Sequence, residues 1–317
     1  MIASTAPTTT RVRAYFAPVD RTAAAPTLFD PAQLGSFPLD TPPAPWIDLG
    51  FISQFVRKSG TKVEPLRAGA PAASIAQVRT EIDATVSFEF DGWGKLQAAL
   101  ASGSQQMNLL ATAPGATPQG SGGQATTPVP LTTTGTTASA LNVGATAAAQ
   151  FAPGDIVAVD ADYTGQTGYV GAGVSAAYLR TALTADFDYI RRVTLNVAVV
   201  ASITGGILTL ASPLPAGIPA AGMQISRVIG FCDREGASFF QEWSALFVLE
   251  GTQDDRIFFH YPRLQPKQAS SESTETLAAP LARIRLAAAF RALPIRDAND
   301  GEQVVAYRSY IPAPMRF

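Results

Sequence analysis

From Glu81 to Asp91 the sequence alternates without a break. Ile82, Ala84, Val86, Phe88 and Phe90 fall on one side of an extended chain, and Glu81, Asp83, Thr85, Ser87, Glu89 and Asp91 on the other, because successive side chains of a strand point to opposite faces. A strand patterned in this way has one face in a core and one acidic face in water. At Asp91-Gly92 the period changes. Trp93, Leu96, Ala99 and Leu100 recur at helical spacing and Gly103 supplies a stop, which predicts a short amphipathic helix over 93–101. A long half-buried strand running into a short helix is the unit of a β-barrel or sandwich with one packed helix.

Other segments carry the same period. Arg11–Phe16 reads as a strand, and the prolines from Pro18 to Pro45 make that connection extended or looped. Residues 46–56 and 61–67 flank Ser59-Gly60, so the spacing predicts a β-hairpin turning there, with 69–76 a loop into the organising strand. Later strands are predicted around 156–160, 193–203, 207–210, 223–231, 238–250, 256–261 and 303–310. Thr204-Gly205-Gly206 turns a second hairpin. Between Pro280 and Leu293, Ala282, Ile284, Leu286, Ala288 and Phe290 form one face, opposite Arg283, Arg285 and Arg291. The expected class is mainly β: a two-sheet β-barrel or sandwich core with one short flanking helix, plus an inserted all-β domain.

The domain order read from composition begins with a loose arm, 1–10. The first part of the core follows at 11–110, then a linker at 111–150, an inserted all-β domain at 151–230 and the rest of the core at 231–317. After Leu96 no Asp, Glu, Lys or Arg occurs until Asp155. A segment of Gly, Ala, Thr, Pro, Ser and Gln repays its ordering entropy poorly, so the reading favours a linker over an extended piece laid on another surface.

The inventory for catalysis is poor. Only 15% of the residues are charged, and the net charge of −2 gives no footprint for holding nucleic acid by its phosphates. The one cysteine, Cys232, excludes an internal disulfide framework. The one histidine, His260, lies between Phe259 and Tyr261 and reads as structural, so neither a His-based metal cluster nor a nucleophile–His site assembles. Asp160-Ala-Asp-Tyr-Thr-Gly165 imitates a calcium loop, but its closing position, 171, is glycine, and the segment reads as a turn. Gly168–Gly173 lacks the lysine and the context of a phosphate loop. No catalytic, cofactor or metal residue is nominated, and the chain is not expected to be an enzyme. It has no apolar run of signal-peptide or membrane-span length, and folding in a reducing cytoplasm is expected.

The Trp46–Gly50 run opening a hairpin, the acidic strand 79–90 flowing into 93–100, and the late strands 240–261 and 281–293 together resemble the major tail tube protein of tailed bacteriophages. The resemblance covers 11–110 and 231–317. It implies a two-sheet β-barrel or sandwich whose copies close into rings, usually hexameric, and stack into a hollow conduit for the genome. On that likeness Glu81, Asp83, Glu89 and Asp91 would line the lumen. Trp46, Phe51, Phe55, Arg57, Lys58, Lys62 and Glu64 would belong to a hairpin reaching the next ring. The partners would be copies of the same chain, the tail terminator, the baseplate or tip and the tape-measure protein, with DNA passing through without specific binding. The location would be the virion tail, assembled in the host bacterial cytoplasm. The extra 111–230 region would project outward, which favours a non-contractile tail over a sheathed one. The competing readings are another virion β-protein, or a glycan-binding module on 151–230 carrying Tyr163, Tyr169 and Tyr178. A tail-associated hydrolase with paired carboxylates comes last.

Overall fold

The computed structural model describes residues 9–19, 25–118, 126–160, 191, 193–234, 242–252, 255–267, 271–278 and 281–312. Residues 1–8 of the expected arm lie outside these, as do 161–165 of the calcium-like turn, Gly168–Gly173 and the three tyrosines of the glycan reading.

The chain first forms β1 (Thr9–Pro18), β2 (Ile47–Ala68), β3 (Ala73–Phe90) and α1 (Lys95–Ser102). It continues through β4 (Gln105–Leu110), β5 (Val129–Pro130), β6 (Ala140–Asn142), the single-turn α2 (Ala145–Ala148), β7 (Ile156–Asp160), β8 (Val197–Thr204), β9 (Ile207–Leu210) and β10 (Gln224–Arg234). It ends with β11 (Trp243–Gly251), β12 (Arg256–Pro266), β13 (Ser271–Ala278), β14 (Leu281–Ala292), β15 (Ile295–Arg296), β16 (Gln303–Val304) and β17 (Tyr307–Ile311). The fold is mainly β, in antiparallel sheets. It divides into two compact units: one holds Met1–Trp93, Leu100–Gly103 and Phe240–Phe317, the other Gly94–Ala99 and Ser104–Phe239.

In the first unit the strands run β13-β14-β3-β2-β1-β11-β12-β17, and β14 also pairs β12 through Leu264↔Ala292 to Pro266↔Phe290. That last ladder closes six strands, β14-β3-β2-β1-β11-β12, into a ring, with β13 and β17 attached at its margins. The alternation of β3 does the work expected of it: Ala84, Val86, Phe88 and Phe90 are buried while Asp83 to Glu89 on the other face are half exposed. Inside the ring, Phe16 meets Phe290 at 5.6 Å, Phe247 at 6.0 Å and Trp243 at 6.4 Å, and Phe88 stacks on Phe290 at 5.8 Å.

β11, the Ala14–Ala17 part of β1 and the middle of β12 are buried on both faces, so they read as short, nearly continuous apolar runs. Outside the ring, the 25–46 connection covers Tyr15, Leu246, Val248 and Phe258 with Phe29, Phe37 and Trp46. His260 lies in this outer layer, stacked on Tyr307 and edge-on to Trp46 and Phe29, with its Nε2 3.2 Å from the Thr27 carbonyl. Desolvation lowers its pKa to about 4, against the opposing pull of the Thr27 hydrogen bond. The folded pKa is depressed below the unfolded value, so the group's contribution is fully present above about pH 6.5 and is lost as pH falls toward 4, where the unfolded chain takes up a proton that the folded one refuses. Denaturation between pH 7 and pH 4.5 is therefore expected to show a one-proton loss of about 2 kcal/mol, and His260→Gln is expected to flatten that part of the profile.

The second unit is a sheet in the order β4-β10-β7-β8-β9-β6, with β5 also on β10. Its core includes Val129, Leu131, Leu141, Val143, Val157, Leu208 and Ile225. This corrects the linker reading: residues 126–150 carry two strands and a helical turn. Single large apolar residues spaced through the Thr/Ala/Gly background enter the core, and small polar side chains satisfy the backbone around them. Thr136 Oγ1 donates to the Thr132 carbonyl at 2.6 Å, and Asn142 Nδ2 to the Thr134 carbonyl at 2.9 Å. β4, placed by sequence in the core, pairs β10 of the second unit instead. The helix also starts later than its period suggests: Trp93 is exposed and α1 begins at Lys95, with Leu96, Ala99 and Leu100 buried.

Candidate functional site

The expected turn at Ser59-Gly60 is not a turn. β2 runs through it for 22 residues, the chain reverses at 69–72, and β3 returns from Ala73, so 73–76 is strand and not loop. Gly69 has φ +94, a backbone state that disfavours any residue with a Cβ. β2 has no partner in β1 beyond Ile52 and β3 none in β14 before Ala84. From Gly60 to Ala68 and from Ala73 to Asp83 the two strands pair only with each other. At about 3.3 Å per residue this arm extends roughly 30 Å. It leaves the ring beside a β-bulge between Ser53 and Val56, where Gln54 has φ 52, a device that bends and twists a strand.

A second arm leaves the other end. β14 runs against β3 with Ala292 opposite Ala84 and Leu286 opposite Phe90. Residues 281–285 therefore lie past the Phe90 end and pair only with β13, whereas the first arm lies past the Ala84 end. Both arms continue the apolar file of their strand out of the barrel, through Ile82 on β3 and Ile284 on β14. Ile75 is 69% exposed and Leu66 51% on the first arm, and Leu281 is 64% exposed on the second. Val63, Val78 and Leu277 are exposed as well. A two-stranded ribbon is marginal alone in water, and these carry apolar groups that nothing among the described residues covers. The outer edges of β13 and β17 are also free of strand partners there.

The residues proposed for an inter-ring hairpin separate into two groups, and four belong to the barrel. Trp46 is buried against Phe37 and His260. Phe51 is covered by the Arg11 and Arg13 guanidinium groups at 4.7 and 5.4 Å, and Phe55 packs on Phe247 at 4.9 Å. Arg57 donates to the Tyr261 hydroxyl at 3.1 Å and lies over Phe259. The physical reason is that one strand serves both the barrel and the arm, and these four precede the point where it leaves. Lys58, Lys62 and Glu64 are on the exposed part.

The acidic strip is also less acidic than its own strand implies. Asp83 pairs with Arg291 at 3.2 Å and Glu89 with Arg285 at 3.4 Å, while Glu275 of β13 pairs with Arg283 and Arg285. Glu81 lies opposite Lys62 in the ladder, and Asp91 is exposed. The face is one of matched charges, set by neighbours some 200 positions away in the sequence.

A concavity of about 600 Å³ opens beside His260, lined among others by Phe29, Arg263, Arg296, Asp297 and Tyr307. Two of its polar groups are engaged: the Tyr307 hydroxyl donates to Asp297 at 2.7 Å, and Arg263 pairs with Glu242. Among the described residues no nucleophile is held by His260 there. Among the described residues no group of three or more His, Cys, Asp or Glu could hold a metal, and no helix is long and apolar enough to cross a membrane. No protein-family model matches the chain, and no curated protein matches its sequence.

Proposed function

We propose that this chain is a structural subunit that assembles with copies of itself, as stacked hexameric rings, into the tube of a bacteriophage tail. The observation that carries this reading is the pair of apolar arms at opposite ends of one barrel. A surface at one end that fits a surface at the other repeats from copy to copy, closing into a ring or continuing as a stack. The tail terminator, the baseplate or tip and the tape-measure protein are the partners that such a tube would meet. A wall of matched charges suits a conduit, since a surface that neutralises few phosphates holds DNA weakly.

Negative-stain electron microscopy of the purified chain tests the proposal, with rings or hollow filaments expected and isolated particles at every concentration contradicting it. For the lumen, reversing Glu81 and Asp91 to lysine, which leaves the Asp83–Arg291 and Glu89–Arg285 pairs in place, is expected to leave assembly intact and to impair genome ejection from particles carrying the variant. Loss of assembly in that variant would make the face an interface between copies.

A further inference from the structure

In the second unit two side chains able to react with one another are buried in contact. Lys95, the first residue of α1, is 3% exposed and Asn108 of β4 is 4% exposed, with the lysine Nζ 2.9 Å from the amide Oδ1. Lysine is almost never buried so fully. The start of a helix also carries partial positive charge, which opposes an ammonium, and α1 has no acidic residue in its first turn. The neutral amine is the nucleophilic form. The hydrogen bond to Oδ1 holds the nitrogen beside the amide group, so that attack on Cγ needs only a shift within a contact already held by the fold.

The β4–β10 ladder supplies an acid. Asn108 lies opposite Phe231, and Gln106 opposite Asp233, so Asn108, Phe231 and Asp233 share one face, with the carboxylate diagonal to the amide. Ser104 Oγ donates to Asp233 Oδ2 at 2.8 Å, which fixes that carboxylate beside the pair. Amine and amide are thus buried in contact, and the acid stands on the same face at the solvent-exposed margin of the pair.

We propose that Lys95 and Asn108 join in an intramolecular isopeptide bond made by the folded chain itself, with Asp233 as the proton carrier. The Nζ lone pair attacks Cγ of Asn108 and the carbonyl electrons move onto Oδ1. Asp233 takes a proton from the attacking nitrogen and returns it to Nδ2. When the carbonyl reforms, the Cγ–Nδ2 bond breaks and ammonia leaves. One amine and one primary amide give one secondary amide and one ammonia, and the balance requires no oxidant, reductant or added co-reactant. The bond ties the start of α1 to β4 and is independent of the assembly reading.

Mass spectrometry of the purified full chain tests it. The intact mass is expected to be one ammonia lighter than the sequence dictates. Trypsin is expected to spare Lys95 and to yield a single 80–180 product containing the link, since the next basic residue after Lys95 is Arg180. A mass equal to that of the sequence, with cleavage after Lys95, would overturn the proposal. Asn108→Ala is expected to restore the sequence mass, and persistence of the ammonia loss in that variant would remove Asn108 from the bond. Asp233→Asn, checked for folding by circular dichroism, is expected to retain the ammonia; complete cross-linking in it would overturn the role of Asp233.

Discussion

Replacing Phe16 with alanine is expected to destabilise the barrel by about 3–5 kcal/mol, the range for truncating a buried aromatic. Phe16 has no exposed surface and faces Phe88 of β3, Trp243 and Phe247 of β11 and Phe290 of β14. Its ring is therefore a contact shared by strands that meet only because the sheet closes. Removing it leaves a cavity bounded by rigid rings on separate strands, which cannot collapse without breaking their ladders. Chemical denaturation should show a large drop in midpoint with tryptophan emission as the probe, since Trp243 lines the same space. Tyr310→Ala on the exposed part of β17 is the control, with a change expected within about 0.5 kcal/mol. Equal effects from the two variants would mean that the closed ring is not the stabilising core.

The second large effect concerns association and not folding. Leu66→Asp combined with Ile75→Asp puts two carboxylates near the tip of the first arm, where both native side chains are exposed. The folded chain should tolerate them, with its denaturation midpoint nearly unchanged. A copy that closes over the arm would have to bury two unpaired charges, at a cost of several kcal/mol, which lowers an association constant by about a thousandfold or more. Leu281→Asp on the opposite arm is expected to act in the same direction, because the proposed head-to-tail contact uses both ends. Sedimentation velocity distinguishes the outcomes: small species for the variants beside large ones for the native chain. Unchanged sedimentation in both variants would separate the arms from assembly.

What the sequence makes legible follows from which physical rule governs each feature. The alternation from Ala84 to Phe90 identifies a half-buried strand because a single core lies on one side of it. The turn at Gly205-Gly206 is equally visible, both glycines having positive φ. Where the barrel stops is not visible, because Ile82 and Ala84 obey the same period and only the position of β14 makes one exposed and the other buried. Ser59-Gly60 has the composition of a turn, yet pairing of Gly60 with Asp83 keeps it extended. The order in 126–150 is hidden because threonine and asparagine side chains, common also in linkers, satisfy the backbone there. The acidic strip misleads for a related reason: Arg285 and Arg291 are visible in the sequence, but their register against Glu89 and Asp83 is a property of the sheet.

Sedimentation velocity of the unmodified chain across a wide concentration series tests the central claim most directly. The account predicts mass-dependent growth from single copies to discrete rings and then to larger stacks, with the midpoint of assembly shifted when the arms are altered. A single species of one-chain mass at every concentration would contradict it.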